Sequence, residues 1–234
     1  MRLNGFAGKG GMMTDAQQRS RGWMAIGLAI ALLGLPAITI GWRQIVPDPN
    51  ALGAIVAREV AIFALVGLLL WYVVAREKQP LSSIGLSDMK LWRSLLWGLA
   101  CTALMAVGIG VAFGLIRLLD LHQLPNGNQI SPSLWVTTLI VVRAGIAEEV
   151  FYRGYAITRL EALTGSRWIA AIVPLALFAG FHYRLGVAGM VIALVLGAVL
   201  TGFFLWKRNL VANMFAHFLV DFVPNVLLAP PHGH

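Results

Sequence analysis

The chain has 234 residues, 59% of them hydrophobic and only 12% charged, with a mean hydropathy of +0.78. This composition excludes a soluble globular domain, because uncharged runs as long as a bilayer core of about 30 Å recur along the chain. The formal charge of +8 would suggest nucleic acid in a soluble protein, but here the basic residues flank apolar runs and form no stripe with interleaved aromatics. Topology and anionic headgroups account for them, and no nucleic-acid partner is expected.

Residues 1–22 are polar and glycine-rich and read as a disordered cytoplasmic tail. The first apolar run, 23–41, is bracketed by Trp23 and Trp42 and is too long for a signal peptide. The second run is 55–75, with Arg58 and Glu59 near its start, and a polar loop follows at 76–91. The third run, 92–116, contains Cys101, which reads as a packing residue. In the same run Gly110 and Gly114 have the small-xxx-small spacing that lets membrane helices approach closely. Pro125-Asn126-Gly127-Asn128 is a turn cluster.

A fourth helix is expected from Ser133 to Leu163, ended by Thr164-Gly165-Ser166. The fifth, 168–182, the sixth, 185–206, and the seventh, 210–228, follow, and the sixth carries the small-residue stripe Ala193, Gly197, Thr201. The reading is therefore an all-α, polytopic transmembrane bundle of about seven helices with a polar intramembrane cavity, forming a single domain over 23–228 with a short tail at 229–234. Twelve basic residues fall in the segments on the N-terminal side of the membrane, against four (Arg43, Arg58, Arg117 and Arg184) on the other. That asymmetry places the N-terminus in the cytoplasm.

Three polar clusters interrupt these apolar helices. The first is Glu148-Glu149-Val150-Phe151-Tyr152-Arg153. On an α-helix Glu149 and Arg153 share a face, and Glu148 points about 100° away. One carboxylate can be held by the arginine while its neighbour meets water. The second cluster is Phe178 with His182, and the third is His217 with Asp221, with Asn213 one turn earlier on the same stripe. Each alone also reads as a structural ion pair, a capped interfacial histidine or an interhelical hydrogen bond. Three independent structural uses would each carry an intramembrane cost of about 2.5–3.5 kcal/mol per charge, so the conjunction argues for a site.

No Gly-x-Ser-x-Gly, no His-Glu-x-x-His and no phosphate-cradling loop is present. A carboxylate can act as general base on water, and imidazoles can share the proton and stabilise an oxyanion, which suits amide hydrolysis without a covalent intermediate. The same side chains could hold a metal ion, which ranks second among the mechanisms. Site depth along the helices points to a cavity in the cytoplasmic half.

The ordered set Glu148-Glu149-x-x-x-Arg153, Phe178-x-x-x-His182 and His217-x-x-x-Asp221 resembles the three motifs of the CPBP family, which includes type II CAAX prenyl endopeptidases and bacteriocin-processing or immunity proteins and is also called the ABI family. The resemblance covers residues 80–228. It implies an integral-membrane glutamic endopeptidase, independent of any metal or other cofactor, in which Glu148 activates water and His182 orients it. Glu149 and Arg153 would support the site, and His217 with Asp221 would stabilise the oxyanion. The implied partners are the bilayer and a peptide or protein substrate, and the implied location is the bacterial inner membrane. The rival readings are a non-catalytic peptide-binding or immunity protein and an ion-coupled transporter.

Overall fold

The structure is a computed structural model that describes residues 15–86, 89–121 and 133–228. All regular structure among them is helical. Helix α1 spans Asp15–Ile45, α2 Leu52–Ala75, α3 Leu91–Leu118 and α4 Leu134–Glu148. A π-helical stretch, Glu149–Ile157, carries α4 directly into α5, Thr158–Thr164. Helix α6 is Arg167–Gly180, followed by a 3-10 turn at Phe181–Leu185, α7 at Gly186–Lys207, α8 at Leu210–Phe222 and a last π turn at Val223–Leu227. Helix α1 begins inside the stretch read as a tail, since residues 15–22 form its first turns. The rest of that tail, the Pro125 turn cluster and the segment 229–234 lie outside the described residues.

Among the described residues five segments are long and apolar enough to cross a membrane: Gln17–Ile45, Leu52–Ala75, Leu91–Leu118, Arg167–Lys207 and Leu210–Leu227. The expected count of seven is not confirmed, and two physical features bear on it. The rod formed by α4, the π stretch and α5 carries Arg143, Glu148, Glu149, Arg153, Arg159 and Glu161, too much charge for an apolar span. Helix α6 has 14 residues. At a rise of about 1.5 Å per residue it is shorter than a core of about 30 Å, and it reaches that length only together with α7.

The charged rod is the centre of the bundle. All nine residues of its π stretch are buried. Val150, Phe151, Tyr152, Tyr155, Ala156 and Ile157 sit in the main core cluster with Leu28, Ile62, Leu69 and Val73 from the first two helices and Phe178, Phe204 and Leu210 from the later ones. A second cluster, Cys101, Met105, Leu200, Phe203, Ala212 and Ala216, joins α3 to α7 and α8. Cys101 is a free, buried thiol in that cluster, as a packing residue should be.

The close approach of α3 is not where the glycine spacing placed it. A Cβ at Gly110 or Gly114 would have no neighbour within 4 Å, so these glycines are on an open face. A Cβ at Gly98 would stand 3.0 Å from the Ala212 carbonyl and 2.8 Å from the Phe215 ring, so the contact with α8 forms there. The rod ends as the sequence suggests, with Gly165 in the left-handed region at φ 68° and the Ser166 hydroxyl accepting from the Ile169 amide to start α6.

Candidate functional site

The two glutamates differ sharply in their surroundings. Glu149 is fully buried and both of its oxygens are engaged. Its Oε1 accepts from Arg153 Nη1 at 2.8 Å and from His217 Nδ1 at 2.9 Å, and its Oε2 accepts from Asn213 Nδ2 at 3.2 Å. Arg153 is buried as well, and its Nη2 donates to the Gly197 carbonyl at 3.4 Å. A buried charge is tolerable only when paired and hydrogen-bonded, and this pair satisfies both conditions.

Glu148 faces elsewhere. Its Oε1 accepts from Arg143 Nη1 at 3.0 Å, and its Oε2 lies 4.0 Å from His217 Nε2, beyond hydrogen-bond length. The side chain is 13% exposed and lines two open spaces, of about 690 and about 1010 Å³, that meet at Glu148, Phe178 and His182. One is walled by Leu35, Pro36, Thr39 and Ile40 of α1, and the other by α4, α7 and α8. The α-helical phase argument thus gives the correct division between the glutamates, although the segment after Glu148 winds as a π-helix, a form often found at functional sites.

His182 is not at the end of a helix but in the 3-10 turn that joins α6 to α7. It still reaches back one turn: Nδ1 donates to the Phe178 carbonyl at 2.7 Å, leaving Nε2 as the ring's other hydrogen-bonding atom. Phe178 is the packing hub of the site. Its ring lies 4.1 Å from the Arg153 guanidinium, leans against the tilted His182 ring at 4.8 Å, and meets His217 and Tyr152 edge-on at 6.3 and 5.5 Å. The cation–π contact adds to the neutralisation of Arg153.

His217 is buried between carboxylates, with Glu149 on Nδ1 and Asp221 Oδ2 3.5 Å from Nε2. Asp221 is about one-third exposed and lines the larger space together with His217. Six residues singled out in the sequence are therefore gathered in one place: Glu148, Glu149, Arg153, His182, His217 and Asp221. Among the described residues no group of three or more His, Cys, Asp or Glu side chains is arranged to hold a metal ion.

The small-residue stripe on α7 has a specific use. A Cβ at Gly197 would stand 3.0 Å from both Arg153 Nη2 and the Phe178 ring, so this position must stay bare for the arginine to fit. Sequence reasoning missed Arg143 and Glu59 as site components. The signal was available, since each is an ionisable residue within an apolar run. The expected cytoplasmic depth and the basic-residue count point to different ends of the bundle for this site. The smaller space opens beside Arg184 and the second half of α1, and Arg43 lies close enough to both Arg184 and Arg58 to interact with their charges. By the basic-residue count that is the outward end, because the turn holding His182 is at the far end of α6.

No curated protein and no solved structure matches the chain. A family model does match, over the stretch that holds all three motifs and the six gathered side chains. Residues 130–223 match the Rce1-like family, described as type II CAAX prenyl endopeptidase Rce1-like, and that match agrees with the CPBP and CAAX-protease resemblance carried by the three motifs.

Proposed function

We propose that this chain is an integral-membrane endopeptidase that hydrolyses a peptide bond with water activated by Glu148. The observation that carries the reading is the inequality of the two adjacent glutamates around one cavity. Glu149 is sealed by Arg153, His217 and Asn213, whereas Glu148 keeps one oxygen open toward the space shared with His182 and His217.

In this mechanism Glu148 Oε2 takes a proton from a water held between it and His182. His182 is suited to orient that water, because its Nδ1 is committed to the Phe178 carbonyl and Nε2 accepts. The hydroxide adds to the scissile carbonyl, and the proton on Glu148 then passes to the leaving amine. In its imidazolium form His217 donates Nε2–H to the oxyanion, with Glu149 fixing the ring from behind. An ionised aspartate accepts and does not donate, so Asp221 at 3.5 Å acts through His217 and not on the oxyanion directly.

The substrate class is a peptide or protein anchored at the bilayer, reached between α1 and the turn at 181–185, with no resident metal or other cofactor. The orientation has the N-terminus cytoplasmic, in a bacterial inner membrane. The test is Glu148→Gln in native membranes, with new peptide N-termini catalogued against the unaltered protein. The expected result is loss of those termini by about 10²–10⁴-fold in rate with membrane insertion unchanged. Unchanged turnover overturns the mechanism.

A further inference from the structure

Glu148 is held by a residue that belongs to none of the three motifs. Arg143 Nη1 donates to Glu148 Oε1 at 3.0 Å, and Arg143 Nε donates to Glu59 Oε2 at 2.6 Å. Glu59 is on α2, fully buried, and its second oxygen accepts from Arg58 Nε and Nη2 at 2.9 and 2.7 Å. Arg143 therefore bridges two carboxylates, one sealed in the bundle and one at the cavity. A guanidinium is planar and offers its donors in a rigid fork, so fixing one end on Glu59 fixes the direction of the other.

We propose that Arg143, anchored by Glu59, is a positioning residue that clamps Glu148 and leaves only Oε2 free to meet water. The proposal rests on the reading of Glu148 as the base. It also extends the working site beyond residues 130–223, because the anchor stands on α2, outside the stretch that matches the family. With glutamine at 59, Arg143 keeps its pairing with Glu148, but one neutral acceptor oxygen is left for Arg58 and Arg143 together, so its fixed end is weakened. The carboxylate can then rotate, and a misplacement of about 1 Å at a reacting group costs on the order of 10²-fold in rate.

The test uses the full chain in native membranes, with Glu59→Gln and Arg143→Lys compared against Glu148→Gln. Two readouts are taken: the rate at which new peptide N-termini appear, and labelling of Glu148 by dicyclohexylcarbodiimide, located by mass spectrometry. The carbodiimide couples to a protonated carboxyl group in an apolar setting, so an ion-paired carboxylate resists it. Glu59→Gln is expected to slow the termini by about 10–100-fold and to raise labelling at Glu148 several-fold. Arg143→Lys, which keeps the charge but not the fork, should change both in the same direction, and it tests the clamp if Glu59→Gln fails to accumulate. Wild-type rates in both variants alongside an inactive Glu148→Gln would overturn the clamp and leave the endopeptidase reading standing, as would raised labelling with unchanged rates. If Glu148→Gln itself leaves the termini unchanged, the endopeptidase reading falls, and labelling alone decides whether Arg143 clamps Glu148: a rise supports it and no rise overturns it.

Discussion

The rod from Leu134 to Thr164 carries two buried charge networks, and their contrast separates a candidate site from scaffolding. At its far end Glu77 accepts from the Tyr155 hydroxyl on one oxygen and from Arg159 Nε at 2.8 Å on the other. Arg159 then donates to the Ser83 hydroxyl at 2.9 Å and packs over the Tyr155 ring. Both oxygens of this carboxylate are occupied by protein. In the middle of the rod the pair Glu149–Arg153 is sealed in the same way, but Glu148 beside it is sealed on one oxygen only. Intramembrane charge by itself therefore does not mark the chemistry. What marks it is residual hydrogen-bonding capacity turned toward open space.

The comparison can be broken at each point. Glu148→Gln has the largest expected effect on turnover, and it should leave thermal stability in detergent nearly unchanged, because the amide still accepts from Arg143. Arg153→Met should do the reverse. Removing one partner of a buried pair leaves Glu149 with only His217 and Asn213 to offset its charge, at a cost of up to about 3–5 kcal/mol that a thermal or denaturant unfolding series would register. An Arg153→Met protein as stable as the unaltered chain would show that the sealed pair is not structural. Tyr155→Phe removes one hydrogen bond to a carboxylate from the far network, so a loss of about 1.5–3 kcal/mol in stability with unchanged production of new N-termini is expected. A loss of cleavage in that variant would erase the distinction between the two networks. The smallest effect is expected at Gly110→Ala, on the open face of α3, where the change in stability should stay within about 0.5 kcal/mol.

Much of the bundle was legible because its signals are local. The boundaries of α2 and α3 follow from apolar runs, and the break at Gly165 follows from a residue able to take a positive φ. The inequality of Glu148 and Glu149 follows from helical phase, since consecutive side chains on a helix point about 100° apart. The shared face of Phe178 and His182 survives even though the helix tightens into a 3-10 turn between them, because the contact spans a single turn.

Other features depend on packing between elements distant in sequence. Gly98, Gly110 and Gly114 are glycines in the same apolar helix, and nothing in their immediate neighbours distinguishes the one that meets α8 from the two that meet nothing. The partnership of Arg143 with Glu59 crosses 84 residues, so neither periodicity nor spacing could identify it. The sequence by itself determined which side chains carry charge, which face of a helix each occupies, and that Glu148 and Glu149 must diverge. Only the tertiary structure decided which of those charges are closed off and which oxygen stays open, because hydrogen-bond saturation is a property of every element packed around the group and not of the helix that bears it.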